Sequence, residues 1–278
     1  MASPSSSPVK PDSARLQNGA SGSAERFNLE SVRESLIRQE DTIVFSLIER
    51  AKFPRNLKVY DESSREIPGF SGSLLQFFVE QAEILQSKVG RYYNPEEHPF
   101  FPENLPLSLL PPYNYKQVLH PAAASININK KIWNVYVDDL LPLFAAKGDD
   151  GNYASTMSSD LTCLQNGIGI SQALSRRIHY GLFVAEVKYR NAPQDYGPAI
   201  HAQDRDALMK LLTFESVEEM VKRRVEKKAS VFGQEVSLND SDGDKYKVDP
   251  SVVSHLYGEW VMPLTKLVQV EYLLRRLD

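Results

Sequence analysis

Between Asn28 and Pro54, apolar residues return at the spacing of an α-helix. Leu29, Val32, Leu36, Ile43 and Leu47 are three, four or seven positions apart, which lays them along one side of a 3.6-residue helix. Asn28 is a good residue to cap its start, and Pro54 marks its end. The same period continues down the chain. It predicts helices over 71–89, over 127–147 with a kink at Pro142, and over 154–189 with an interruption at NGIGISQ. Shorter helices follow at 194–202, 204–212 and 215–230, then a final one from Pro250 to Leu277, kinked at Pro263. Residues 90–126 are punctuated by proline and fit neither period, so an extended surface path is expected there. Strand-like pieces occur only in VFGQEVSLNDSDGDKYKV, around an acidic, glycine-containing turn. At most this is a small β-hairpin near 232–248. No repeat of 20–50 residues is present. The expectation is an all-α, single-domain, multi-helix bundle with several long helices, over residues 27–278.

Composition narrows what such a bundle can do. A formal charge of −4, with no basic half or tail, argues against binding to nucleic acid or to a membrane surface. No apolar run approaches the roughly 18 residues that span a bilayer. A single cysteine, Cys163, rules out an internal disulfide and suits a reducing compartment. Five scattered histidines with the one cysteine give no zinc-like spacing, so no metal is expected. Residues 1–26, rich in Ser, Pro, Ala and Gly, read as a disordered tail. That tail is short, contains Asp12 and Glu25 and is poor in arginine, so the cytosol is expected ahead of a plastid.

Neither a phosphate-binding glycine loop nor a nucleophile elbow is present. What stands out is a set of polar side chains on helical faces otherwise used for burial: Arg33, Arg177, Lys188, Glu218, Thr265 and Gln269. Arg177 and Lys188 lie eleven residues apart in LSRRIHYGLFVAEVKY, three turns along nearly one face. Each residue also has an ordinary explanation. Arg33 and Lys188 can be surface cations, Glu218 an acid favoured in a first helical turn, and Thr265 with Gln269 a solvated stripe. His98, His179 and Tyr180 are assigned to packing. Taken alone, these residues indicate a helical protein able to bind a small anion between helices.

Longer strings carry more. LESVRESLIRQEDTIVFSLIERAKF, PEEHPFFP, SININKKIW, LSRRIHYGLFVAEVKY and MPLTKLVQVEYLLRRLD resemble, in order, the all-helical chorismate mutases of plants and fungi, the plant cytosolic form most of all. The resemblance covers about residues 28–278. It implies the rearrangement of chorismate to prephenate in phenylalanine and tyrosine biosynthesis, without a cofactor, by a homodimer. It also implies roles by motif. Arg33 and Arg177 resemble the carboxylate-binding arginines. Lys188 and Gln269 correspond to the donors to the breaking ether bond, Glu218 to the acceptor of the ring hydroxyl, and Thr265 to a residue lining the pocket.

Departures from the family pattern set further expectations. Fungal members have glutamate where this chain has Gln269, and an amide donates at any ordinary pH, so activity should stay flat from mildly acidic to neutral pH. Phe214 stands where fungal members have asparagine, and no role is carried over to it. Regulated members bind tyrosine or tryptophan at a dimer-interface site. The matching residues here are Arg91, Ala154 and Ser155, with alanine in place of a glycine, so weak or absent control is expected. Finally, about seven residues, 166–172, are inserted before LSRR. A helix would absorb them with about 20° of phase error but about 10 Å of extra length. That insertion motivates the alternative reading, a catalytically impaired paralogue or splice form that binds ligand or pairs with an active subunit.

Overall fold

Helix α1 (Leu29–Arg50) opens on a reciprocal cap: Asn28 Oδ1 accepts from Ser31 N at 2.9 Å and Ser31 Oγ from Asn28 N at 3.3 Å. It ends four residues before Pro54. There the Arg50 guanidinium folds back to donate to the carbonyls of Phe53, Pro54 and Arg55. The computed structural model describes residues 27–63, 67–165, 173–235 and 245–277. Helix α2 (Leu74–Lys88) is shorter than expected, because Ser73 and Gln76 form a second reciprocal cap inside the predicted span.

Two predicted proline kinks take another form. Helix α3 (Asn129–Asn134) passes through a π-helical turn, Val135–Leu140, into α4 (Leu141–Phe144), which contains Pro142. Helix α11 (Pro250–Leu256) likewise passes through a π turn, Tyr257–Val261, into α12 (Met262–Leu274), which contains Pro263. A proline lacks the N–H for the i−4 carbonyl and its ring collides with that carbonyl. A widened turn just before the proline relieves both problems without breaking the helix.

The remaining helices are α5 (Tyr153–Leu164), α6 (Leu174–His179), α7 (Gly181–Asn191), α8 (Pro193–His201), α9 (Arg205–Leu212) and α10 (Glu215–Gly233). Helix α12 is central and packs on α6, α7, α8 and α9, while α1 packs on α5, α7 and α10, and α10 on α11. Ile43, Leu47, Tyr136, Leu164, Ile178, Val268 and Leu273 belong to the main core, all under 2% exposed. The all-α expectation holds. The hairpin near 232–248 reduces, among the described residues, to one antiparallel bridge between Gln234 and Tyr246. The tail 1–26 and the insertion 166–172 lie outside the described residues.

The proline-rich connection from 89 to 128 holds only short 3₁₀ turns and is fastened by side chains. Glu83 accepts from the backbone of Phe100 and Phe101 at 2.6 and 2.9 Å, and Asn129 donates to the carbonyls of His98 and Pro99. His98 stacks on His179 at 4.1 Å, and Tyr180 on Phe183 at 4.9 Å. These are packing roles, as expected. No helix among the described residues is long and apolar enough to cross a membrane.

Candidate active site

A glycine brings the two key helices together. A Cβ placed on Gly181 would lie 2.7 Å from the Thr265 carbonyl oxygen, 3.2 Å from Thr265 Cγ2 and 3.4 Å from Gln269 Cγ. Only glycine permits α7 to sit this close to α12. Arg177, on α6 one turn before Gly181, meets Thr265.

Arg177 is 5% exposed, and Nη1 donates to Thr265 Oγ1 at 3.3 Å. The Thr265 hydroxyl proton is already used, donated to the Val261 carbonyl at 2.6 Å, so a lone pair faces the guanidinium. The guanidinium carbon lies 5.7 Å from the Tyr257 ring centre. Its Nε is buried without a hydrogen-bond partner. Gln269, one turn beyond Thr265 and 5% exposed, is also unengaged: its buried Oε1 has no partner. Buried polar groups are nearly always paired. Arg177 Nε and Gln269 Oε1 are among the few buried exceptions of the described residues, as is the Tyr257 hydroxyl.

Lys188, near the end of α7, is half-buried. Burial, reinforced by the positive charge of Arg33, pushes its ammonium down to about 8, and Glu218 opposes the shift. No carboxylate lies within ion-pair distance of it among the described residues; its ammonium sits 4.9 Å from the Phe214 ring centre. Its neighbour Glu186 faces away and binds Arg190, Arg276 and Tyr272. Arg176, which could have shared the role of Arg177, is paired with Glu96.

Glu218, in the first turn of α10, accepts from Lys266 Nζ at 2.8 Å, and Lys266 also reaches Thr213 Oγ1 at 3.4 Å. Arg33 is exposed on α1 and reaches this group through its field on Lys188. The structure therefore brings Arg177 against Thr265, with buried Gln269 one turn further along α12, and separately groups Lys188 with Phe214, Arg33 and Glu218. Sequence reasoning missed Gly181 and Lys266. The signals were there: a glycine inside an apolar helix, and a lysine three residues before Gln269.

Chemically the cluster offers cations, an amide and a carboxylate, and no activated nucleophile. Cys163 is fully buried against the Ser46 carbonyl, and burial pushes its thiol up to about 12. No group of three His, Cys, Asp or Glu side chains among the described residues is arranged to hold a metal ion.

The three residues expected at an effector site do not meet within one chain. Arg91 is held by Glu97, Gln86 and the carbonyl of Gln165, just past the C-terminal end of α5. Ala154 and Ser155 lie in the first turn of α5, about 15 Å away at 1.5 Å of rise per residue.

Residues 169–270 match the family model for chorismate mutase type II. Chorismate mutase 2 of Arabidopsis thaliana is 63% identical over 265 residues, 94% of this chain and 97% of the relative. Cytosolic chorismate mutase 2 of Zea mays is 51% identical over 257 residues, 91% of this chain and 98% of the relative. A solved structure of AtCM1, with tyrosine bound in its allosteric site, is 55% identical, superposes with a TM-score of 0.81, and covers 92% of this chain and 98% of its own. Together with a helical cluster of cations and amides built without a nucleophile, these similarities show that the chain belongs to the plant and fungal family of chorismate mutases.

Proposed function

We propose that the Arg177 cluster is the site where chorismate rearranges to prephenate, and that the residues act as follows. Arg177 binds one substrate carboxylate with its unused Nε and its Nη atoms, in the planar two-point geometry to which arginine is suited. Arg33, at the rim, meets the other carboxylate. Lys188 and the Gln269 amide donate to the ether oxygen, where negative charge grows as the C–O bond breaks. Glu218 accepts from the ring hydroxyl, with Lys266 holding the carboxylate in orientation. Thr265 orients Arg177. The work is conformational restriction plus fixed dipoles in a dry pocket.

The observation that carries this reading is the buried Arg177 guanidinium, its Nε without a partner, set against Thr265 on α12 one turn from the buried Gln269. Purified protein incubated with chorismate should consume it and form prephenate. A folded protein with no turnover would leave the impaired-paralogue reading in its place. Deleting 166–172 and repeating the assay isolates the effect of the insertion.

We propose that the protein acts in the cytosol, in phenylalanine and tyrosine biosynthesis, as a homodimer; the similarity to a cytosolic relative supports the first of these. The expectation of weak control by aromatic amino acids has less support. Ala154 argues for it, but a relative 55% identical binds tyrosine at an allosteric site. Titrating tyrosine and tryptophan into the assay decides it: a change beyond about twofold would remove that expectation.

A further inference from the structure

We propose that Phe214 is a positioning residue for this reaction: its ring face seats the Lys188 ammonium and shields it from water at the mouth of the pocket. The inference rests on the reading of Lys188 as an ether-oxygen donor.

Phe214 occupies the cap position of α10, with extended backbone at φ −130° and ψ 92°. That position favours Ser, Thr, Asp or Asn, whose side chains satisfy an orphan N–H. Phe214 makes no such cap, and its ring is 52% exposed rather than packed in the core. Neither local structure nor burial explains a phenylalanine there. The contact that does is with Lys188 Nζ, 4.9 Å from the ring centre. An ammonium within about 6 Å of an aromatic face is attracted by the ring quadrupole.

Lys188 has little else to hold it. Glu218 is close enough for its charge to be felt, but its oxygen is held by Lys266 at 2.8 Å. Without the ring, nothing among the described residues would hold the ammonium at the end of its flexible four-carbon stem. With the ring, the ammonium is held over one face and remains free to donate on the other. Such a seat is also weaker than an ion pair, so the lysine can still turn its charge to an arriving anion.

The test uses the full chain with Phe214→Tyr, Phe214→Leu and Phe214→Ala, read in two ways. One is the pH profile of kcat/KM with chorismate. The other is the titration of Lys188 Nζ itself, followed by its acylation rate and peptide mass spectrometry. The charges facing Lys188 are Arg33 from α1 and Glu218 from α10, the latter held by Lys266 from α12; no variant alters them. Phe214→Tyr keeps the ring and should match the parent within about twofold in both readings. Phe214→Leu keeps an apolar cover but loses the quadrupole, so Lys188 should titrate lower by about half a unit. Phe214→Ala admits water, so Lys188 should titrate higher, toward about 10.4. Both should lose about tenfold in kcat at pH 7 with little change in KM, because the donor is misplaced at the transition state.

Titrations of the Leu and Ala variants that move together or not at all would overturn the proposal, as would a Tyr variant as impaired as Ala. The two readings fail separately. Near-normal turnover in Lys188→Ala removes the lysine's role whatever the titrations do. An inactive Lys188→Ala with no divergence between Leu and Ala removes only the role of Phe214.

Discussion

Two buried arginines in this molecule have opposite surroundings. Arg50 is fully buried and every donor direction is used. Nε pairs with Asp160 at 2.5 Å, Nη1 reaches the carbonyls of Phe53 and Pro54, and Nη2 reaches the Arg55 carbonyl and the Tyr60 hydroxyl at 2.9 Å. Asp160 in turn accepts from Tyr60 and Tyr136 at 2.7 and 2.6 Å. Arg177 is nearly as buried, yet its guanidinium meets only Thr265, at 3.3 Å, and the Tyr257 side chain, and its Nε has no partner. A closed network holds the chain in place. An open one keeps hydrogen-bonding capacity for something that arrives later. Burial does not distinguish the two; how completely each charge is partnered does.

The contrast predicts opposite phenotypes. Arg177→Ala and Lys188→Ala should each lose about 10³-fold or more in kcat/KM, roughly 4 kcal/mol of transition-state stabilisation. Circular dichroism and melting should stay close to the parent. An Arg177→Ala that unfolds would erase the distinction. Arg50→Ala leaves Asp160 buried without its counter-ion, so chemical denaturation should show a loss of about 3–5 kcal/mol in stability. The fraction that remains folded should turn over normally.

Gln269→Glu sharpens the comparison by placing a titratable group in the open cluster. A carboxyl donates to the ether oxygen only when protonated, so activity should fall with rising pH through the new group's pKa, with about a tenfold or greater loss by pH 7. The parent should stay flat from mildly acidic to neutral pH. It should then fall as pH rises through about 8, where Lys188 loses its proton. A parent profile that falls steeply before pH 7 would remove Gln269 from the role given to it. Gly181→Ala should have the smallest effect. Its Cβ would meet the Thr265 carbonyl at 2.7 Å, costing about 1–3 kcal/mol of stability and pushing α7 away from α12. A variant as active and stable as the parent would show that α7 and α12 can separate without consequence.

Much of the fold was legible because helical periodicity is local. The apolar stripe after Asn28 placed α1, and Pro250 placed the start of α11. The misses have equally local causes. Arg50 turns back on its own helix end, and Pro142 and Pro263 are accommodated by π turns that no spacing rule announces. At the site, the eleven-residue interval between Arg177 and Lys188 reads as one helix, but the structure divides it at Tyr180 into α6 and α7, and the family resemblance supplied the roles. The pairing of Lys266 with Glu218 was not visible, because it joins residues 48 positions apart.

By itself, the sequence determined the helices, their apolar faces and the presence of unusual charges on those faces, since these follow from residue order over a few turns. Which charges are closed off and which stay open was decided by tertiary structure alone. Arg50 and Arg177 look alike as letters, each an arginine within an amphipathic helix. The difference lies in what the rest of the chain brings to them: Asp160 and Tyr60 to the first, a glycine-permitted helix contact and empty hydrogen-bonding positions to the second.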